Sequence, residues 1–482
     1  MDTIPEKGRP YGEILAELER FGSDDPNYRD AKTWSLVYYL NRDYTDFLQQ
    51  AYGRYFSANG LNPTAFKSLK RLEKEVLRFT ARLLHAEESA HGVMTSCGTE
   101  SCLLAVKTYR DLGRSKGIKK PEMVLPETAH VAWEKGAEYF GVKIRRAPLA
   151  GDYGVDLKAV ERLVNKNTVM ILGSAPEYPH GIIDPIKELG ELAVKRKIPL
   201  HVDACVGGYL LPFLEENGVA LPLWDFRVPG VSSVSADIHK YGYAAKGASC
   251  ILYRSGETFR HQVFVSESWP GGVFASPALL GTRPGGAYAA AWAAIQANGR
   301  EGYRELARRA LETTEKLKKG IEAIPELEII GAPKACLLSF RSNNPNMNIF
   351  AVGDEMEKAG WHIDRLQRPD ALHAMVTAAH GKVADLYLED LARAVRTVAG
   401  HPELAESGQA ATYGMISHIP LRRMVRKQVL DMFAASYELS AKEIDLSDSA
   451  ALAPGSPGED ASKTRVTQKM INRYVKWRSG KR

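Results

Sequence analysis

The sequence predicts an α/β protein: a mostly parallel sheet covered by helices on both faces, followed by a smaller C-terminal α/β domain. Three observations carry this. Short apolar runs alternate with amphipathic stretches from about residue 91 to 253, the βαβα rhythm of a parallel sheet. From about Glu326 the rhythm changes to paired strands with intervening helices. The 482 residues also exceed what one small core accommodates.

The elements follow in order. The segment "DPNYRDAKTWSLVYYLNRDYTDFLQQAYGRYFSANGLNPTAF" is aromatic and has no clean period, so residues 1–65 read as an N-terminal arm that wraps over a neighbour. "FKSLKRLEKEVLRFTARLLH" carries a helical stripe at Leu69, Leu72, Val76, Leu77, Leu83 and Leu84. A large domain (66–325) then runs through the strand "HGVMTS", the helix "TESCLLAVKTYRDLG" and the strand "EMVLPE". It continues through the helix "HVAWEKGAEYFG" and the strands "VKIRRAPL", "TVMILGSA", "IPLHVDAC" and "GVSSVSAD". The small domain (326–417) holds the strands "ELEIIG", "ACLLSFRS" and "ALHAMVTAA" and the helices "IFAVGDEMEKAGW" and "KVADLYLEDLARAVRTVAG". Residues 418–482 form a basic extension that includes the linker-like "SDSAALAPGSPGEDAS".

Composition narrows the function classes. The net charge of +6 lies entirely after residue 417, where 13 basic residues face 7 acidic ones. The balanced body therefore has no charge signature for nucleic acid or membrane. In the tail, Lys469, Arg473 and Lys476 have the spacing of a solvated helix face, and no nucleic acid partner is expected. Five scattered cysteines without a C-x-x-C pair predict a reducing, cytoplasmic setting and no metal site. The charged start lacks an apolar signal core. The nearest approach to a membrane span, "AYAAAWAAI" at 287–295, is too short and reads as a buried helix.

Within "VSSVSADIHKYGYAAKGASCILY", Lys240 stands beside two apolar strands. A lysine there needs a partner for its charge or must lose it. Asp203 ends the apolar strand of "KIPLHVDAC", and "MTSCGTES" joins a strand to a helix through a small-residue turn suited to an anion. His130 follows another strand. Singly, each has an ordinary structural reading as a salt bridge, a surface histidine or a common loop. Together, at successive sheet edges where open α/β folds bind ligands, they match the needs of pyridoxal phosphate. Those are an anion site, a stacking ring, an acid opposite the ring nitrogen and a lysine for the aldehyde. On this reading Lys240 is unpaired, readily discharged by burial and used covalently.

The motifs "SADIHKYGYAAKG", "PLHVDACVGG", "APEYPHGIIDP", "MTSCGTES" and "GGVFASPALLGTRPGG" resemble those of the sphingosine-1-phosphate lyases. These are fold-type I pyridoxal phosphate enzymes in the branch containing group II amino-acid decarboxylases. The similarity runs from about Ser35 to Met415. It implies cleavage of the C2–C3 bond of a phosphorylated long-chain amino alcohol to a fatty aldehyde and ethanolamine phosphate. It also implies a homodimer with shared active sites, and a soluble, prokaryotic-type form. Catalytic roles map by this resemblance to Lys240, Tyr178 and Tyr413, and cofactor binding to Cys97, Gly98, Thr99, His130, Asp203, Ser235, His239 and Lys240. The substrate phosphate maps to Tyr38, Asn62, Lys246 and Thr282. The chain departs from the family at Asn62 (usually histidine), Cys97 (usually glycine) and Ile238 (commonly threonine), and some members have phenylalanine in place of Tyr178. The alternatives are an amino-acid decarboxylase, or a retro-aldol enzyme for a smaller phosphorylated amino alcohol.

Overall fold

The alternating apolar runs form a seven-stranded sheet of β1 (His91–Thr95), β2 (Glu122–Pro126), β3 (Lys143–Ala147), β4 (Thr168–Ser174), β5 (Leu200–Asp203), β6 (Val231–Asp237) and β7 (Ser249–Tyr253). The computed structural model describes residues 4–62, 64–410 and 422–439. The strand order is β1-β7-β6-β5-β4-β2-β3. Strands β3, β2, β4, β5 and β6 pair in parallel, while β7 runs antiparallel to both β6 and β1. One reversed strand thus leaves the carboxyl ends of β1, β4, β5 and β6 at the same edge.

The strands read as unbroken apolar runs because both faces are covered. Along β4, Met170 and Leu172 pack into one core while Ile171 enters the other, the period-two alternation of a strand. The first core is shared by Val106 and Tyr109 of α4 (Gly98–Ser115) and by Trp133 of α5 (Ala132–Phe140). The second is closed by Val76 on α3 (Lys67–Leu83) and by Ile186 and Leu189 on α7 (Ile186–Arg196). Leu211 and Leu214 on α8 (Leu211–Glu216) and several alanines of α10 (Gly285–Glu322) complete it. Burying each large aliphatic side chain contributes about 1.5–3 kcal/mol. The short α6 (Leu157–Leu163) and α9 (Gly256–Arg260) and the hairpin β8 (Phe264–Ser266)–β9 (Phe274–Ser276) fill the connections. Helix α10 is interrupted at Gly299, whose φ of 55° and ψ of −175° are open to glycine.

A second, antiparallel sheet has the order β10 (Leu327–Ile329), β11 (Leu337–Ser342), β13 (Ala371–Met375), β12 (Asp364–Leu366). It packs with α11 (Ile349–Lys358) and α12 (Ala384–Gly400), and α13 (Arg422–Ser436) follows. Among the described residues no helix is long and apolar enough to cross a membrane.

The N-terminal segment differs from the irregular arm expected. It contains α1 (Tyr11–Phe21), which buries no residue, and α2 (Arg42–Gly53). Between them the chain docks on its own small sheet. Trp34 is fully buried, stacks on His380 at 4.3 Å and meets Trp361 at 5.9 Å. The Met375 amide donates to the Trp34 carbonyl at 2.9 Å. An indole has more apolar surface to bury than the polar residues around it, and this anchor fixes the position of Ser35 and Tyr38.

Candidate active site

The shared carboxyl edge opens into a cavity of about 340 Å³, a size that suits a small organic ligand. Of the residues singled out from the sequence, Tyr38, Cys97, Gly98, Thr99, His130, Tyr178, Asp203, His239, Lys240 and Lys246 line it. Tyr38 lines the cavity of its own chain, on a segment that Trp34 ties to the same chain's small sheet. Ser235 lies just beneath, its hydroxyl 3.4 Å from Asp203 Oδ1. Asn62 and Thr282 stand outside. The Asn62 carbonyl oxygen accepts from the Thr64 amide at 2.9 Å, and Thr282 Oγ1 accepts from Asn59 Nδ2 at 3.2 Å. Tyr413 lies outside the described residues.

Asp203 is buried at the end of β5. Burial by itself raises a carboxyl pKa. Here the Cys205 amide (3.1 Å) and Trp133 Nε1 (2.9 Å) donate to the carboxylate, and the Cys205 thiol and Trp133, with nearby His130 and His201, outweigh burial and hold it below the usual range. Asp203 is therefore an anion at neutral pH, rigidly aimed and able to keep a proton on a heteroaromatic nitrogen. Cys102 and Cys205 flank it, with ligand atoms of the three residues within 4.8 Å of one another. Burial pushes the Cys102 thiol up to about 11, so it stays protonated at neutral pH.

Lys240 has a partner that the sequence reading did not name. Its Nζ lies 2.9 Å from Asp237 Oδ2, and the Ser249 hydroxyl donates to Asp237 Oδ1 at 2.5 Å. Burial alone would strip charge from Lys240, but the Asp237 carboxylate outweighs it and moves the pKa up. The expected ready discharge is thus corrected: in the ligand-free chain Lys240 is an ammonium. Asp237 follows the small residues of "SVSA" on β6 and sits three residues before the lysine. A charge closing a buried strand was the signal available for it, the same signal that identified Asp203.

The turn before α4 suits an anion. No side chain caps the helix at Cys97, and Glu100 is turned away to accept from Ser96 N and Oγ at 2.7 Å each. The first-turn amides of Gly98 and Thr99 are left to the cavity. A Cβ at position 98 would come within 2.8 Å of Cys205 Sγ and 2.9 Å of both Asp237 oxygens, so the close approach of this turn to the lysine pair requires glycine. Uncapped amides, a fixed carboxylate and a lysine around one cavity fit pyridoxal phosphate.

At the other end, Lys246 Nζ sits 5.1 Å above the Tyr38 ring and makes no ion pair among the described residues. Burial, helped by the nearby charge of Lys240, lowers its pKa to about 8. Tyr38 Oη also meets Met375 Sδ. Tyr178, on the loop after β4, donates from Oη to Asp364 Oδ2 at 3.0 Å.

The fold and this site define a pyridoxal-phosphate-dependent enzyme, and the family model "Pyridoxal-dependent decarboxylase conserved domain" matches residues 44–343. Sphingosine-1-phosphate lyase of Oryza sativa is 42% identical over 433 residues, covering 88% of this chain and 80% of that protein. The structure of the Burkholderia pseudomallei sphingosine-1-phosphate lyase superposes with a TM-score of 0.81 at 37% identity, covering 89% of this chain and 96% of that one. A Lactobacillus brevis glutamate decarboxylase shares the fold at a TM-score of 0.73 and 20% identity, covering 82% and 94%. The chain belongs to the sphingosine-1-phosphate lyase family.

Proposed function

We propose that this protein cleaves the C2–C3 bond of sphingosine 1-phosphate, or a close long-chain analogue, to a fatty aldehyde and ethanolamine phosphate. The observation that carries this reading is Lys246. A second cation lines the cavity beside the cofactor lysine, with no carboxylate partner among the described residues, as a substrate phosphate requires. When bound, the cofactor supplies the electron sink for the pair released as the C2–C3 bond breaks. Lys240 would provide the amine that holds the cofactor aldehyde. Asp203 would hold a proton on the ring nitrogen, and the backbone N–H groups of Gly98 and Thr99, near His239, would hold the cofactor phosphate. His130 stacks at the cavity mouth. Lys246 and Tyr38 orient the substrate phosphate, and Tyr178 Oη accepts the proton of the C3 hydroxyl.

The test replaces Lys246 with alanine. A charge-assisted hydrogen bond is worth about 1.5–3 kcal/mol, so KM for the phosphorylated substrate should rise roughly 10- to 150-fold while cofactor absorbance persists. In the wild type, KM should climb as pH passes about 8, because Lys246 then loses its proton. An unchanged KM in the variant would remove Lys246 from the phosphate site.

The chain also pairs with a second copy in this reading, so that Asn62 and Thr282, outside their own cavity, complete the partner's. Support comes from large apolar side chains left exposed in the same stretches of chain, including Phe56, Leu61, Leu279 and Leu280. Mixing a Lys240→Ala chain with an Asn62→Ala/Thr282→Ala chain should restore activity if sites are shared. A mixture no more active than its parents would refute sharing.

A further inference from the structure

Tyr178 does not stand alone at the cavity wall. Its hydroxyl donates to Asp364, the first residue of β12, across a sequence separation of 186 residues. His373 lies opposite Asp364 in register on the central strand β13, and its Nδ1 is 3.8 Å from the same carboxylate oxygen. The Tyr178 and His373 rings overlap at 4.5 Å with a 34° tilt. Ser35, on the segment anchored by Trp34, also influences the Asp364 charge, although neither its hydroxyl nor His373 Nδ1 makes a hydrogen bond among the described residues. One carboxylate thus gathers a donor from the large domain and polar neighbours from the small sheet and the N-terminal segment.

We propose that Asp364 is the positioning residue for Tyr178, orienting its hydroxyl and taking its proton during the reaction. The proposal rests on Tyr178 being the group that meets the substrate C3 hydroxyl. Because the phenol's only proton is directed at Asp364, the Oη lone pairs are left for the cavity. As the substrate O–H bond breaks, its proton forms a new bond to Tyr178 Oη. The former Tyr178 proton passes to Asp364 Oδ2, and the electron pair stays on the C3 oxygen, which becomes the aldehyde carbonyl. The phenol itself never has to carry charge. That suits a tyrosine whose pKa is raised by burial and by the Asp364 charge. Burial works against ionised Asp364, but its polar neighbours, His373 first, outweigh burial and lower its pKa, leaving a carboxylate ready to accept.

The test is a double-mutant cycle on the cofactor-loaded enzyme, using Asp364→Asn, Tyr178→Phe and the combination. Each single change is expected to lower kcat about 100-fold, the lower range for proton transfer by a positioned group. KM and the cofactor absorbance should hold. The combination should be no slower than Tyr178→Phe alone. Asp364→Glu keeps the charge and should recover at least part of kcat, and Asp364→Ser serves as a second neutral variant if the asparagine does not fold. If the losses multiply, or if a folded neutral variant at 364 keeps full kcat, the proposal is overturned while the role of Tyr178 survives. If Tyr178→Phe itself keeps full kcat, the reading beneath the proposal fails, and the proposal with it.

Discussion

A lysine that must become a nucleophile sits 2.9 Å from Asp237, and that neighbour governs the pH at which its amine is free. Two opposed effects act on Lys240: burial disfavours its charge, and the carboxylate favours it. With Asp237 present the charged form is favoured in cofactor-free protein. Replacing Asp237 by asparagine removes the favourable charge and leaves burial unopposed. The apparent pKa of Lys240 in cofactor-free protein should then fall. Labelling with an amine-selective reagent across pH, read by peptide mass spectrometry, measures this midpoint. An unchanged midpoint would mean that Asp237 does not hold the charge. Lys240 and Asp203 were legible in the sequence because each is a charge beside an apolar strand. Asp364 was not: it lies in the polar stretch "HIDRLQRPD", and the tyrosine that gives it meaning arrives only through the fold.

At the scale of elements, α4 brings its start against the ends of β5 and β6, and Gly98 is where they meet most closely. Gly98→Ala places a methyl group within 2.9 Å of Asp237 and Cys205, and such overpacking costs typically about 1–3 kcal/mol. If that strain is relieved by backing the turn away from the cavity, cofactor Kd should rise roughly 5- to 150-fold, measured by fluorescence titration. Unchanged affinity would show that the turn does not hold the cofactor. Most elements could be read from the sequence because apolar period and length distinguish covered strands from amphipathic helices. The reversal of β7 could not, since an apolar run such as "ASCILY" carries no direction. Helix α2 was hidden by its tyrosines and its few buried positions, Leu48 alone among its residues being buried. The docking of the N-terminal segment depends on Trp34 finding His380 and Trp361 far along the chain.

Across the whole molecule, the two sheets and the N-terminal segment converge on one cavity. The large sheet brings Asp203, Asp237 and Lys240, the small sheet brings Met375 and the Asp364 support, and the segment brings Tyr38. In the proposed reading this convergence sets a cofactor end, at α4 and β5, apart from a phosphate end at Lys246. A second ionic anchor would then let a fold shared with decarboxylases hold a phosphorylated amino alcohol. The most direct measurement is a product balance on cofactor-loaded protein, with Lys240→Ala as the control. Sphingosine 1-phosphate should yield fatty aldehyde and ethanolamine phosphate in equal amounts with the wild type and neither with the variant. Release of carbon dioxide from amino acids without cleavage of the phosphorylated amino alcohol, or equal cleavage by Lys240→Ala, would contradict the account.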